Sequence, residues 1–380
     1  MMIPQRLDKV MVVILSVISV VIMAVAHDLS RENVWYEYKK NAAETMLKAE
    51  IALIEQKIKP GVYIKRESPG EWRPYSLDYV KKKIQDILIH KKKTPLRTTK
   101  GVIGAKRAAT DHDLAAIVVE LLKEAGVRKG DTVAVAFTGS LPGANIAVLS
   151  AAKAMELNPV IISSLGASRG GATSPEFSWL DIERILYENG MLPFRSAAAS
   201  MGGRNDVQAS KSEKDRQLLR DIIARNNVPL IYDDDKDKNV AQRMEIYKTG
   251  AGGRPIKAFI NVGGDAAVLG KYRYRRKIPS GVVFNLPLEQ FKTKGVILRM
   301  AEEGTPIVNV RGIKQLFAKY DPSLGAEGSL RLSEGAVLFD KKNNVLVSAC
   351  ALCILIALFI LAIRFDAYIL PHIRERRDPG

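Results

Sequence analysis

The sequence predicts an α/β fold, with a doubly wound, mostly parallel sheet in an external domain bracketed by two transmembrane helices. Short apolar, β-branched runs alternate with helical stripes between residues 110 and 320, and glycine-rich loops follow several of these runs. Long uncharged runs lie near both ends of the chain. Helices placed between consecutive apolar strands indicate a parallel sheet that is covered on both faces.

Composition limits the class of protein and of partner. The 380 residues are 47% hydrophobic and 26% charged, which excludes disordered, collagen-like and disulfide-framework classes. Lysine and arginine total 58 against 41 acidic residues, and the resulting net charge of +17 favours an anionic partner. With two cysteines and four histidines, the chain has too few ligands for an ordinary tetrahedral zinc site.

The two uncharged runs predict membrane spans. Residues 10–26 form seventeen uncharged residues, and residues 345–363 form nineteen. A seventeen-residue helix is about 26 Å long, close to the hydrocarbon core of about 30 Å. Two buried core helices are the alternative, but a core helix does not need such runs at opposite ends of the chain.

Basic flanks predict the orientation. Short tails rich in arginine and lysine precede the first run and follow the second, so both termini are expected in the cytoplasm and residues 28–344 outside. Residues 24–26, Ala-Val-Ala, also resemble a signal-peptidase site, which leaves cleavage open. Each tail carries a net +1, so +15 belongs to the external part. Cys350 and Cys353 lie in the second run, where helix packing explains their spacing better than redox chemistry.

The chain is therefore divided into six regions. Residues 1–27 are the first transmembrane helix, 28–100 a juxtamembrane helical and connector region, 101–330 the α/β domain, 331–344 a connector, 345–363 the second transmembrane helix and 364–380 a basic cytoplasmic tail. A helix is expected over 31–58, and another within the lysine-rich segment 81–93. The lysines of 81–93 are interpreted as a solvated face, with contact to headgroups or polymer as the alternative.

The elements of the α/β domain follow from periodicity and turn residues. Thr110 with Asp113 predicts a capping box, and the apolar stripe after it predicts a helix that stops at Gly126. Strands are expected at 132–137, 160–163, 228–232, 257–262 and 306–310. Helices are expected at 145–157, at 180–188 and in a segment ending at 225, with a polar loop at 196–210 and a hairpin at 330–339.

The loops after the strands carry the candidate site, because ligands of open α/β sheets bind outside the carboxyl ends of the strands. Their glycines and hydroxyls are typical of anion contacts. The residues expected to bind an anion are Thr138, Gly139, Ser140, Gly143 and Asn145 after the first strand, Ser164, Gly166, Ser168, Arg169 and Gly170 after the second, and Gly263 and Gly264 after a later one.

Common catalytic loops do not match the segment after the first strand. It is neither a Walker A loop nor the G-x-G-x-x-G pattern of dinucleotide sites. It also departs from G-x-S-x-G, so Ser140 lacks both the elbow spacing of a nucleophile and an evident histidine base. We therefore favour anion contact over covalent catalysis for Ser140.

Acidic residues give a weaker signal. Glu176 and Asp181 could polarise a substrate, but capping of a helix N-terminus is the preferred interpretation. The aspartates of 233–237 resemble a calcium loop, yet Lys238 stands where an EF-hand needs glycine and Met244 where it needs glutamate. Weak binding of Mg²⁺ or Ca²⁺ at Asp233 and Asp235 is the alternative to an acidic helix start, and no other cofactor is expected.

A basic strip at 271–277 interleaves aromatic and cationic residues, as polyanion sites do. Its expected external location makes carboxylated polymer or lipid headgroups better candidates than nucleic acid.

Three segments together resemble the poly-gamma-glutamate system protein family of bacteria. They are TGSLPGANIAVLSAAKAMEL at 138–157, SSLGASRGGAT at 163–173 followed by PEFSWLD, and INVGG at 260–264. The similarity covers residues 110–320 and includes the two terminal runs. It implies a component of the bacterial cell membrane that accompanies the machinery making or exporting poly-γ-glutamate, a chain with one free carboxylate per residue. The resemblance carries over no catalytic residue.

Three functions are therefore open. The first is a membrane-anchored accessory protein that binds an anionic polymer, poly-γ-glutamate or another polycarboxylate, at the outer face of the membrane. The second is a hydrolase or transferase acting on γ-linked polymer with Ser140, Glu176, Asp181 and the aspartates. The third is a scaffold for the synthase subunits. The expected partners are the lipid bilayer, the polymer and synthase subunits, without nucleic acid, and whether the protein is an enzyme is left open.

Overall fold

The computed structural model describes residues 17–22, 34–57, 75–208, 210–320 and 345–364. The chain divides into two compact units, one of residues 37–339 and the other of residues 1–36 and 340–380. The strands, and the helices between residues 34 and 320, lie largely within the first unit.

The first unit is built on a six-stranded, mostly parallel sheet, as the sequence predicts. The strands lie in the order β5-β2-β1-β6-β8-β7, and every pair is parallel except β7 with β8. A separate antiparallel pair, β3 with β4, follows β2. The strand bounds are β1 Thr132–Thr138, β2 Asn158–Ser164, β3 Thr173–Ser174, β4 Phe177–Ser178, β5 Ala198–Ser200, β6 Ile256–Val262, β7 Gly281–Val283 and β8 Ile307–Val310.

Helices connect and flank these strands. Before the sheet lie α1 Val34–Lys57, α2 Leu77–Leu88, α3 Ile103–Ala108 and α4 Asp113–Glu124. Between the strands and after them lie α5 Pro142–Ala154, α6 Trp179–Glu188, α7 Glu213–Arg225, α8 Lys236–Gly250, α9 Ala266–Leu269, α10 Val296–Glu302 and α11 Ile313–Tyr320. The second unit contains α12 Val345–Arg364, and residues 17–22 are helical.

Both faces of the central strand β1 are covered, since all seven of its residues are buried. On one face Ala134 and Ala136 belong to an apolar cluster with Tyr247 and Phe259, whose rings meet edge to face. Side chains alternate along a strand, so Phe137 points the other way and meets Trp179 edge to face. The doubly covered sheet follows from these two clusters.

Three sheet features differ from the expectation. Strand β5 lies inside the segment 196–210 that was expected to be a loop. Its three small residues are too few to show the sequence pattern of a strand. Residues 228–232, expected to form a strand, make only an isolated bridge between Leu230 and Ala199. Pro229 at this edge lacks a donor, and Leu230 and Tyr232 stay exposed. The antiparallel strand β7 was not expected.

The start of α4 also corrects the sequence analysis. Thr110 does not cap this helix: its hydroxyl donates a hydrogen bond to the Arg107 carbonyl at 2.9 Å. The residues before it form the short helix α3, so the segment has already turned before α4 begins at Asp113. The expected hairpin at 330–339 lies outside the described residues, as do most of residues 10–26.

In the part of the chain that the structure describes, no helix combines the length and apolar character needed to cross a bilayer. The two bracketing spans thus have their basis in the sequence alone.

Candidate functional site

A cleft of about 930 Å³ lies at the carboxyl ends of β1, β2 and β6. Strand β1 lies between β2, which follows it in the chain, and β6, which comes after β5. The order of the strands therefore reverses between β1 and β6, where open α/β sheets place their ligands. Thr138 at the end of β1 and Gly263 after β6 both line the cleft, and Thr138 Oγ1 donates to the Val262 carbonyl at 3.4 Å.

The cleft brings together half of the residues expected to bind an anion. Six of the twelve line it: Thr138, Ser140, Gly166, Ser168, Gly263 and Gly264. The loops after three separate strands thus converge at one place, because the carboxyl ends of parallel strands share an edge of the sheet.

The other six support the cleft from behind or point away from it. Asn145 is fully buried and donates to the Thr138 carbonyl at 3.0 Å, and the Gly139 N–H donates to the Ser164 carbonyl. Gly143 and Gly170 allow close packing, since a Cβ would lie 2.3 Å from the Ala109 carbonyl oxygen at Gly143 and 2.5 Å from the Ile103 side chain at Gly170. Arg169 is exposed and does not line the cleft. Ser164 belongs to the floor.

The floor is a buried ionic network around Arg243 of α8. Arg243 Nη2 contacts Asp206 Oδ2 at 2.9 Å and Ser200 Oγ at 2.6 Å, and it lies 3.9 Å from Asp265 Oδ2. Ser164 Oγ accepts from Arg243 at 3.1 Å and donates to Asp265. The network ties β2, β5, α8 and the loop after β6 together beneath the cleft.

Burial shifts the proton equilibria of this floor. Burial raises the pKa of Asp206 to about 6, although the Arg243 guanidinium opposes the shift. Burial disfavours the charge of Arg243, but Asp206 and Asp265 outweigh that effect and raise its pKa. Arg243 therefore stays charged under all ordinary conditions, and the carboxylates compensate it.

The loop after β5 holds Asp206 through unusual backbone angles. Asn205, Asp206 and Gln208 have φ of 55°, 67° and 50°, in the left-handed region that non-glycine residues seldom adopt. Gly202 and Gly203 share this region, and a Cβ on Gly203 would lie 2.5 Å from Gln208 Oε1. Such angles persist only where the surroundings hold them, and they concentrate at functional sites.

One wall of the cleft contains a buried lysine with neutral partners. Lys106 of α3 is 6% exposed, and its Nζ donates to the Ser140 carbonyl and lies 2.7 Å from Ser168 Oγ. No carboxylate among the described residues lies within salt-bridge distance of it. Burial lowers the pKa of Lys106 to about 7, so neutral and charged amine coexist near neutral pH.

The two serines beside Lys106 are linked to each other. The Ser168 N–H donates to Ser140 Oγ at 3.0 Å, which fixes the loop after β2 against the loop after β1. The contact is close, because a Cβ on Gly171 would lie 2.4 Å from the Gly139 carbonyl oxygen. Both serines are partly exposed and line the cleft.

The lining of the cleft is mainly cationic. Eight cationic side chains line it against four acidic ones, the acidic ones being Asp234, Asp235, Asp237 and Asp265. The cationic ones are Arg97, Lys100, Lys106, Arg204, Lys211, Lys236, Lys271 and Arg311. Lys100, Arg204 and Lys271 are exposed. An anionic group that enters the cleft therefore meets a net positive field.

Two of the four acidic residues that the sequence singles out, Asp181 and Asp235, cap helices. Asp181 forms a capping box with Ser178 at the start of α6 and also accepts from Arg225, which confirms the capping interpretation. Asp235 caps α8 by accepting the Asp237 N–H at 2.8 Å, and Asp233 accepts the Asp235 N–H at the same distance. Glu176 accepts from Ser174 outside the cleft. Among the described residues there is no cluster of three or more His, Cys, Asp or Glu side chains that could hold a metal ion.

Sequence reasoning missed Lys106 and Arg243. A signal for Arg243 exists, because Val240, Arg243 and Tyr247 form the buried stripe of α8 and place an arginine among apolar positions. Lys106 has no such signal: it lies in a six-residue helix, and its burial depends on loops more than thirty residues away.

Comparison with known proteins adds no relative: no family model, no curated protein and no solved structure matches the chain.

Proposed function

We propose that this protein is a membrane-anchored accessory protein that binds poly-γ-glutamate, or a similar polycarboxylate, in the cleft at the carboxyl ends of β1, β2 and β6. The observation that carries the proposal is the convergence of three strand-end loops on one cleft that is lined by eight lysine and arginine side chains and four acidic ones. A polymer with one carboxylate per residue offers regularly spaced partners to such a lining.

The size of the cleft agrees with a segment of polymer rather than a single ion. Ligand pockets are typically about 300–1,000 Å³, and this cleft has about 930 Å³. The side chains of Lys100, Arg204 and Lys271 are exposed. An anion can therefore pair with them without a charge being buried, and it can exchange with water. We expect affinity that falls steeply as salt is added, since each exposed ion pair is screened.

A binding assay tests this proposal with the full chain in detergent. Poly-γ-glutamate is titrated at several salt concentrations against the wild type and a Lys100→Glu, Arg204→Glu, Lys271→Glu variant. The matched control is Lys214→Glu, Lys248→Glu, Lys257→Glu, which changes the net charge equally at exposed sites outside the cleft. We expect at least tenfold weaker binding for the cleft variant alone, or about 1.4 kcal/mol. Equal losses in both variants, or no binding at low salt, would reject the proposal.

The membrane anchor is the second part of the proposal. Its support is the run of nineteen uncharged residues at 345–363 of the sequence. Under this proposal both termini lie in the cytoplasm of a bacterial cell and residues 28–344 outside, because short basic tails favour the cytoplasmic side. Cleavage of the first run, residues 10–26, would leave residues 28–344 outside as well.

Protease protection tests the anchor and its orientation. In intact spheroplasts we expect added protease to digest the region between the runs, whereas in sealed inverted vesicles the same region stays protected. Digestion in the inverted vesicles alone would show the opposite orientation. Recovery of the chain in the supernatant after cell lysis without detergent would contradict anchoring.

Two alternatives remain for the same chain, a hydrolase or transferase acting on γ-linked polymer and a scaffold for synthase subunits. A scaffold predicts that cleft variants leave polymer production unchanged while variants of 345–363 abolish it. The enzyme gains support from the contact between Lys106 and Ser168 in the cleft wall.

A further inference from the structure

Lys106 and Ser168 meet in a way that suits proton transfer. Lys106 Nζ lies 2.7 Å from Ser168 Oγ, and its other partner is the Ser140 carbonyl, which only accepts. An amine N–H is therefore directed at Ser140. When the amine is neutral, its lone pair is left for the Ser168 hydroxyl proton, as in a nucleophile paired with its base.

The surrounding chain holds this pair rigidly. The segment before α3 pairs with the loop after β2: the Thr98 N–H donates to the Ala167 carbonyl at 2.8 Å, and the Arg169 N–H donates to the Thr99 carbonyl at 2.9 Å. Gly101 is packed so closely that a Cβ would lie 2.1 Å from the Arg169 carbonyl oxygen. These backbone hydrogen bonds flank Ser168 and fix it to the segment that leads into α3, where Lys106 lies.

We propose that Ser168 and Lys106 form an acyl-transfer centre, with Ser168 as nucleophile and Lys106 as general base, acting on an amide or ester carbonyl of a carboxylate-bearing substrate. The substrate class rests on the proposed polycarboxylate cleft, whereas the reactivity of the pair does not. Ser140 is a positioning residue, because its Oγ accepts the Ser168 N–H and its carbonyl orients the amine.

The chemistry balances with water as the second reactant. Lys106 takes the Ser168 proton while Ser168 Oγ bonds to the carbonyl carbon. The carbon–nitrogen bond of an amide then breaks, and Lys106 returns the proton to the leaving amine. Water attacks the resulting acyl-serine, a carboxylic acid leaves, and the serine hydroxyl is restored; an amine in place of water gives transfer.

Burial supports the role of Lys106. A surface lysine is almost fully protonated at neutral pH and is a poor base, whereas burial lowers the pKa of Lys106 to about 7. A base is most useful when its pKa is near the working pH. The position, at a cleft and beside a partly exposed hydroxyl, distinguishes it from a lysine buried in a core.

A fluorophosphonate probe tests the centre on the full chain, with no polymer present. Mass spectrometry locates the adduct, and its rate of formation is followed from pH 5.5 to 9. We expect a single adduct on Ser168, with a rate that rises through about pH 7 and then levels. Ser168→Ala should give no adduct, and Lys106→Met should react at least a hundredfold more slowly without the pH step.

Matched controls are Ser174→Ala and Lys153→Met. Ser174 lies outside the cleft, and Lys153 Nζ also donates to a backbone carbonyl, that of Met191, but is exposed. Both should react like the wild type. Thermal unfolding of each variant separates loss of reactivity from loss of fold, and Ser168→Ala removes only one oxygen atom.

An adduct on another residue, no adduct at millimolar probe, or a wild-type rate in Lys106→Met would overturn the proposal. Polymer binding without an adduct would overturn this centre and leave the binding proposal standing. An adduct on Ser168 without polymer binding would support the centre and reject poly-γ-glutamate as its substrate.

Discussion

The floor and the wall of the cleft each hold a buried basic side chain, but only the one on the floor has carboxylate partners. Arg243 on the floor contacts Asp206 and lies near Asp265, so its charge is compensated. Lys106 on the wall contacts two neutral serine groups. The pKa is raised for the first and lowered for the second. A compensated charge organises the loops, whereas an uncompensated one keeps an amine that can release its proton.

Removal of Arg243 should have the largest effect on stability. Arg243→Met leaves Asp206 and Asp265 buried without a cation, and breaking a buried pair in this way costs about 3–5 kcal/mol. Urea unfolding at pH 7 measures the loss. Lys248→Met on the exposed face of the same helix serves as the control and should lie within about 0.5 kcal/mol of the wild type. A similar loss in both variants would mean that the floor network does not stabilise the fold.

The contribution of Lys106 in the cleft wall to stability should depend on pH. Above about pH 7 the folded state keeps Lys106 neutral, while the unfolded lysine holds its proton up to about pH 10.5. The unfolded state then binds more protons, so stability rises with pH by about 1.4 kcal/mol per unit in this window.

Comparison with Lys106→Met isolates the part of this pH dependence that comes from the Lys106 amine. The free energy of unfolding of the wild type, minus that of the variant, should increase steadily between pH 8 and pH 10, and should be flat below pH 6. At pH 6 the variant should be the more stable of the two, since it buries no charge. A difference that does not change with pH would show that Lys106 is charged in the folded protein.

Loss of the Ser140 hydroxyl should have a smaller effect. Ser140→Ala removes the acceptor of the Ser168 N–H, at a cost of about 1 kcal/mol. Reaction of Ser168 with the fluorophosphonate should slow but persist. If Ser140→Ala gives no adduct while Ser168→Ala still reacts, the roles of the two serines have been assigned in reverse.

The aspartate loop should show the smallest effect. Asp233 and Asp235 already accept backbone N–H groups, which leaves fewer oxygens for weak Mg²⁺ or Ca²⁺ binding. At a metal concentration equal to the dissociation constant, stabilisation is only about 0.4 kcal/mol. Thermal unfolding with and without millimolar Mg²⁺, in the wild type and in Asp233→Asn, measures it. A shift of equal size in both proteins would place the metal elsewhere.

The sequence predicts the sheet and half of the cleft because both depend on local patterns. Strands such as β1, β2 and β6 contain continuous apolar runs that can be recognised from the sequence, and the residues after them must share an edge in a parallel sheet. Short strands cannot be recognised in the sequence. Strand β5 is Ala-Ala-Ser, and its pairing with β2 is decided by tertiary contacts.

The two cations show where prediction from sequence ends. Lys106 is buried by loops that follow strands later in the chain, so nothing near it in sequence reveals its environment. Arg243 could have been noticed as a cation in a buried helical stripe, but its partner Asp206 depends on a left-handed loop with no regular pattern.

Hydrogen exchange of the full chain, with and without poly-γ-glutamate, tests whether the polymer binds in the cleft, because it reports which segments the polymer covers. We expect slower exchange at segments that contribute residues to the cleft, 97–106, 203–208, 210–211 and 263–271, and unchanged exchange in α7, outside it. Protection confined to the lysine-rich residues 81–93, or absent throughout at saturating polymer, would contradict a polycarboxylate site in this cleft.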